Sequence, residues 1–200
     1  MNVILNQVQN HIESFIHQFA VFACYIWFIR KKTGYSSGRL TTAMAVSIDL
    51  KGKRGVIWGV ANQRSIAWAI SERLAEAGAE LAFTYLNERL KAPVEKATAG
   101  LGNPMLIECD ATDDAQVQSV YDHIKSEWGE IDFVVHCIAY ADRDDLGGNF
   151  SDTNLQGFRT ALETSAYTLM PVVGKAAPLF GESGGSAITL TFDASQRVYP

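Results

Sequence analysis

The sequence predicts an α/β fold: a doubly wound parallel sheet with helices on both faces. Three observations predict it. From Ser47 onward, short apolar runs alternate with helix-period segments, and that alternation places strands in parallel with crossover helices. The run Ile131, Phe133, Val134, Val135 is nearly continuous in apolar residues, as a strand covered on both faces requires. Gly59 lies between the first strand and the first helix, where open α/β sheets turn sharply and bind phosphates.

Each element follows from its residues. Gly55–Trp58 reads as the first strand. Ser65–Ala77 reads as the first helix, with Ile66, Ala69, Ile70 and Leu74 on one face, Ser65 in the capping position and Gly78 as the stop. Glu80–Tyr85 is the second strand. Glu88–Ala99 is a helix in which Pro93 must lie in the first turn or kink it. Met105–Cys109 is the third strand. Asp113–Trp128 is the next helix, with Asp113 and Asp114 at the end where the dipole favours acids. Ile131–Ile138 is the fourth strand, and Tyr140–Thr153 is loop. Leu155–Phe180 carries a long helix, bent or interrupted near Pro171, and Ala187–Phe192 is the fifth strand. There is no internal repeat or low-complexity tract.

The 200 residues suit one domain, or one domain with an appendage. At 48% hydrophobic and 20% charged residues, the chain can bury a core. Its net charge of −5 argues against a non-specific nucleic-acid binder, which needs a basic face. The three cysteines, Cys24, Cys109 and Cys137, show neither metal spacing nor a CxxC pair, and fit a reducing compartment such as the cytoplasm.

Residues 1–43 differ from the rest and read as an N-terminal extension outside the fold, with 44–200 as a partial dinucleotide-binding domain. Phe15–Ile29 is apolar and aromatic and is followed by Arg30-Lys31-Lys32. Its unbroken part, Phe19–Ile29, is short of the roughly 20 residues of a membrane span. Three readings stand: Met44 as the natural start, a membrane-associating helix within 15–32, or a targeting segment.

Several residues carry a functional and an ordinary reading together. The Gly59 turn departs from G-x-G-x-x-G, and is either a phosphate-binding turn or an ordinary one before a helix. Asp110, after the third strand, suits an adenine amino group or a turn. His136 reads as a core histidine before it reads as a catalyst. Asp142, Asp144 and Asp145, beside Arg143, read as a solvated loop rather than a metal site, so no metal is expected. Leu86, at the tip of the second strand, neither binds a ribose 2′-hydroxyl nor holds a 2′-phosphate. Tyr167, mid-helix, is either a core aromatic or a contact between subunits.

Five stretches taken in order resemble one family: Gly52-Lys53-Arg54, Gly59 to Trp68, Gly78 to Tyr85, Val135 to Ala141, and Ile188 to Phe192. Together they are similar to the enoyl-acyl-carrier-protein reductases, the divergent branch of the short-chain dehydrogenase/reductase family, with a Rossmann-like fold. The resemblance runs from about Ile48 to Pro200. It implies that Gly59, Ser65 and Ile66 line the pyrophosphate and adjacent ribose, that Asp110 and Ala111 flank the adenine, that Ile138 lies beside the nicotinamide-side ribose, and that Ala141 touches the acyl thioester. Leu86 stands where the family often has Gln. NADH is favoured over NADPH because no basic pair follows the second strand.

Phe192 occupies the family's active-site aromatic position, often Tyr, and has no hydroxyl to donate. The family's principal Tyr and Lys fall beyond Pro200, so Tyr199 is not the catalyst. The resemblance thus implies hydride transfer from a nicotinamide to a trans-2-enoyl thioester on acyl carrier protein in fatty acid synthesis, by a homotetramer of the whole protein. The 200 residues alone are expected to be inactive, with the fifth strand an exposed edge. Another short-chain oxidoreductase is the first alternative, disfavoured by Val60-Ala61-Asn62 and Ile138-Ala139-Tyr140, where that branch carries a Gly-rich turn and an Asn-Ala-Gly. A non-catalytic dinucleotide-binding or membrane-tethered module is the second.

Overall fold

The computed structural model describes residues 48–147 and 149–191. The extension 1–43, the Met44 start, the possible anchor within 15–32, and Phe192, Tyr199 and Pro200 lie outside the described residues. Two compact units are present: one joins Ser47–Tyr140 to Phe158–Leu190, and the other contains Ala141–Gly157.

The larger unit holds five strands: β1 (Arg54–Trp58), β2 (Glu80–Tyr85), β3 (Met105–Glu108), β4 (Phe133–His136) and β5 (Ser186–Thr189). All neighbours are parallel, in the order β3-β2-β1-β4-β5. The chain builds outward from β1 in one direction, then returns to continue from β1 in the other. Trp58, the last residue of β1, therefore pairs with Thr84 on one side and His136 on the other.

Five α-helices are described: α1 (Ile66–Glu76), α2 (Glu88–Thr98), α3 (Asp114–Trp128), α4 (Leu155–Leu162) and α5 (Leu169–Ala176). Alternate strand residues face opposite sides, and each side has its own core. Val56, Trp58, Ala82 and Val134 pack with Val117, Val120, Tyr121 and Ile124 of α3 and with Val172 and Ala176 of α5. Ile57, Leu81, Phe83 and Val135 pack with Ala67 and Trp68 of α1 and with Val94 and Ala97 of α2. This is the doubly wound arrangement expected from the alternation.

Helix ends follow local chemistry. Beyond α1, Gly78 has φ +97, its N–H donates to Ala75, and the Ala79 N–H donates to Leu74. That pair of bonds is a Schellman motif, which closes a helix with a left-handed residue. Asp113 caps α3 by accepting from the Ala115 and Gln116 N–H groups at 2.9 and 3.1 Å. The bonds from Gln116 hold its carboxyl below the usual carboxylate range.

The structure decides one open alternative, locates one interruption and corrects two strand lengths. Pro93 lies within α2 beyond its first turn, where its missing N–H removes one intrahelical bond. The long helix is interrupted near Pro171, as read: a π turn, Glu163–Tyr167, lies one turn ahead of the proline. A proline ring crowds the carbonyl four residues back, here Tyr167, so the disturbance appears a turn upstream. The fourth and fifth strands are shorter than read: Ile131 contributes only a bridge to Phe180, and β5 ends at Thr189.

β5 is the edge of the described sheet, and all four of its residues are exposed. Beside it lies an apolar hollow of about 440 Å³ between Met170, Val173, Ala187 and Thr189. Among the described residues no helix is long and apolar enough to cross a membrane.

Ile57 is 0% exposed at the centre of one core. Ile57→Ala should destabilise the chain by about 3 kcal/mol, through lost transfer energy and the cavity left behind. Urea unfolding followed by tryptophan fluorescence measures it, and a loss under about 1 kcal/mol would contradict the packing described.

Candidate functional site

Strand order reverses between β1 and β4, so the crevice between their carboxyl ends is the topological switch point. Gly59 stands there with φ +98. A Cβ at this position would lie 2.2 Å from the Cys137 carbonyl oxygen and 3.1 Å from the Ile138 nitrogen. Glycine is thus required twice over, by backbone angle and by the approach of the next strand. The Cys137 N–H donates to Trp58 O at 2.9 Å and locks that approach.

The turn after Gly59 is built on Asn62. Its Oδ1 accepts from the Arg64 N–H at 2.8 Å, and its carbonyl accepts from the Ser65 N–H at 3.1 Å and from Ser65 Oγ at 2.7 Å. Ser65 occupies the N-cap position, but its side chain caps nothing: its hydroxyl proton is spent on Asn62 behind it. This corrects the expected capping role and has a consequence. The Ile66 and Ala67 N–H groups precede the first intrahelical bonds, and no capping side chain occupies them. A helix start left open in this way carries partial positive charge suited to an anion.

The parallel register carries the other expected residues to the same carboxyl edge. Leu86 follows β2 and is 47% exposed. The Cys109 N–H donates to Tyr85 O, holding the end of β3 beside it. Asp110 Oδ1 accepts from the Thr112 N–H and Oγ at 2.9 and 2.7 Å, and the Asp110 N–H donates to Gln116 Oε1 at 2.9 Å. The turn reading of Asp110 is therefore realised, while its adenine role rests on resemblance. Ala111 is buried in the α3-side core, and Ile138 packs against that core. Ala141 belongs to the second unit, and Phe192 lies outside the described residues.

A larger hollow, about 1070 Å³, involves residues at the amino ends of β2 and β3. Glu72, Glu76, Glu80 and Glu127 line it, a poor setting for phosphates.

His136 is 1% exposed at the end of β4. Nε2 is 2.9 Å from Thr168 Oγ1, and Nδ1 is 3.2 Å from Thr189 Oγ1. Thr168 spends its own proton on Thr164 O at 2.7 Å, which assigns the imidazole hydrogen to Nε2 and makes Nδ1 the acceptor. Burial lowers its pKa, so the ring is a neutral, satisfied core group. Burial likewise raises the Cys109 thiol to about 12 and the Cys137 thiol to about 11, leaving neither poised as a nucleophile. Among the described residues no group of three His, Cys, Asp or Glu could hold a metal.

Sequence reasoning missed one contact at this edge. Ser165 Oγ, in the π turn, accepts from the Tyr140 N–H and donates to the Tyr140 carbonyl, both at 3.0 Å. Periodicity cannot show it, because the π turn shifts which side chains face β4. The nearest sequence signal is the hydroxyl cluster Thr164, Ser165 and Thr168.

A parallel sheet in this order, with a glycine turn and an open helix start at the switch point, defines the Rossmann class. Comparison with known proteins is more specific. A family profile described as "Enoyl-(Acyl carrier protein) reductase" matches residues 59–200. The chain is 44% identical over 151 residues to "Enoyl-[acyl-carrier-protein] reductase [NADH] 1" of Rhizobium meliloti, covering 76% of this chain and 55% of that protein. Among solved structures, the Anaplasma phagocytophilum enoyl reductase in complex with NAD superposes with TM-score 0.72 at 38% identity, covering 79% of this chain and 60% of that one. The Bacillus cereus enoyl reductase with NADP+ and indole naphthyridinone gives TM-score 0.71 at 43% identity, covering 75% and 59%. The chain belongs to the enoyl-(acyl carrier protein) reductase family. It spans a little over half the length of these relatives.

His136 sets a pH dependence whose sign follows from burial. The native pKa lies below 6.5, so on acidification the unfolded chain takes up a proton that the folded chain refuses. Its contribution is fully present above the unfolded value and is lost as pH falls toward the native value. Unfolding free energies at pH 7.5 and 5.5 should differ more in the wild type than in His136→Gln, by up to about 1 kcal/mol. Equal differences would contradict a neutral, buried imidazole.

Proposed function

We propose that this chain carries the cofactor-binding half of an enoyl-acyl-carrier-protein reductase that uses NADH. The observation that carries the reading is the switch point. Gly59 leaves no room for a Cβ against the Cys137 carbonyl, and the helix start that follows leaves its Ile66 and Ala67 N–H groups open. The family to which the chain belongs and its NADH-named relatives support it.

On this reading, Gly59 lets the backbone approach the pyrophosphate, and the start of α1 at Ser65 and Ile66 holds it through N–H groups and dipole. Asp110 and Ala111 border the adenine, and Leu86 borders the adenosine ribose without a charge that would select a 2′-phosphate. Ile138 borders the nicotinamide-side ribose, and Ala141 the acyl thioester. Phe192, at the family's active-site aromatic position by resemblance, has no hydroxyl with which to donate a hydrogen bond. The bound dinucleotide supplies hydride to the β-carbon of a trans-2-enoyl thioester. The developing enolate oxygen then requires a donor, and the family's Tyr provides it in the whole protein. His136 takes no part in this chemistry, since both ring nitrogens are held by threonines.

We further propose that the whole protein works as a homotetramer in the cytoplasm. The exposed apolar side chains Tyr167 and Met170 beside the π turn support a subunit contact there. The free thiols of Cys109 and Cys137, one buried and one half-buried, suit a reducing compartment.

Titration of the chain with NADH and NADPH, followed by tryptophan fluorescence and calorimetry, tests the reading. NADH should bind saturably and more tightly than NADPH. Gly59→Ala should weaken NADH by more than about tenfold, through the strained φ and the clash with Cys137. An absence of saturable NADH binding by the wild type would overturn the proposal.

A further inference from the structure

The segment after β4 leaves the sheet at His136, and Ile138–Tyr140 runs on as extended chain outside the named strands. One end of this segment is set by Gly59, which abuts Cys137 and Ile138. At the other end, one hydroxyl satisfies both backbone polar groups of Tyr140: Ser165 Oγ accepts its N–H and donates to its carbonyl. The two bonds resemble a ladder contact made by a side chain.

The π turn makes that contact. The Thr168 N–H reaches five residues back to Glu163 O at 3.2 Å. With the widened turn, Ser165 and Thr168 both face the end of β4, Ser165 bonding to Tyr140 and Thr168 to His136. Thr168 is fixed in turn by Thr164 O. Two hydroxyls of one turn thus grip β4 and the backbone beyond it. Mid-helix π turns commonly mark functional sites, and this one holds the segment that the reading above places at the nicotinamide end.

We propose that Ser165 is a positioning residue for the nicotinamide half of the cofactor. It acts through the Tyr140 peptide, fixing Ile138–Tyr140 in the geometry that the ribose and ring require. The inference rests on the proposed NADH site. It differs from a general stabilising role in that removal of the hydroxyl should disturb one end of the cofactor and spare the other.

The test uses the 200-residue chain as wild type, Ser165→Ala and Ser165→Thr. Affinities for NADH and for adenosine 5′-monophosphate are measured by calorimetry, with amide hydrogen exchange at Tyr140 as a ligand-free readout. Ser165→Ala should speed exchange at Tyr140 and weaken NADH by about tenfold, as expected for two lost hydrogen bonds, while binding of the monophosphate stays within about twofold. Ser165→Thr, which keeps the hydroxyl, should restore both. Unchanged NADH affinity in Ser165→Ala, equal weakening of both ligands, or Thr behaving like Ala would overturn the inference and leave the NADH site standing. Failure of the wild type to bind NADH would overturn the site itself and this inference with it.

Discussion

The site rests on a close approach of two backbones. At Gly59 the chain leaving β1 comes so near the Cys137 carbonyl that a hydrogen fits and a carbon does not. That contact fixes where β1 ends, how the turn runs, and where β4 releases its chain. The Cys137 N–H to Trp58 bond holds it from one side, and the two cores clamp the strands from both faces. A larger residue at Gly59 would push β4 away from β1 at the one point where the strand order reverses.

Two features at this edge make sense in light of that constraint. The first is the Asn62 turn, which draws the Ser65 hydroxyl backward and leaves the helix start open. An ordinary cap would have filled the N–H groups that an anion needs. The second is the grip of the π turn on β4. The Thr164, Ser165 and Thr168 bonds tie His136 and Tyr140 to a helix whose regular winding is interrupted at that point. Neither arrangement improves helix stability by itself, and both place backbone groups at the carboxyl edge of the sheet.

Much of the fold was legible in the sequence, for a physical reason. Alternating apolar runs and helical repeats record which faces are buried, and β2 matches its reading end to end. Burial on both faces also explains the continuous apolar run at β4. What stayed illegible depends on hydrogen-bond geometry rather than on periodicity. Ser65 sits where a cap belongs, yet the direction of its hydroxyl is set by a carbonyl three residues earlier. Pro171 announces a disturbance but not its place, because the ring acts on the turn before it. Ser165 gave no signal of its own, since facing β4 requires the extra residue of the π turn. At the candidate site, Gly59 and the strand-end residues were legible from topology, whereas the state of His136 required seeing both of its threonine partners.

The open start of α1 beside Gly59 is the proposed seat of the cofactor's phosphates. Backbone amide shifts of the isotope-labelled chain during NADH titration test it most directly. The largest changes are expected at Gly59, Val60, Ile66 and Ala67, with smaller ones at Ile138. Shifts confined to the acidic hollow around Glu72, Glu80 and Asn103 would contradict it.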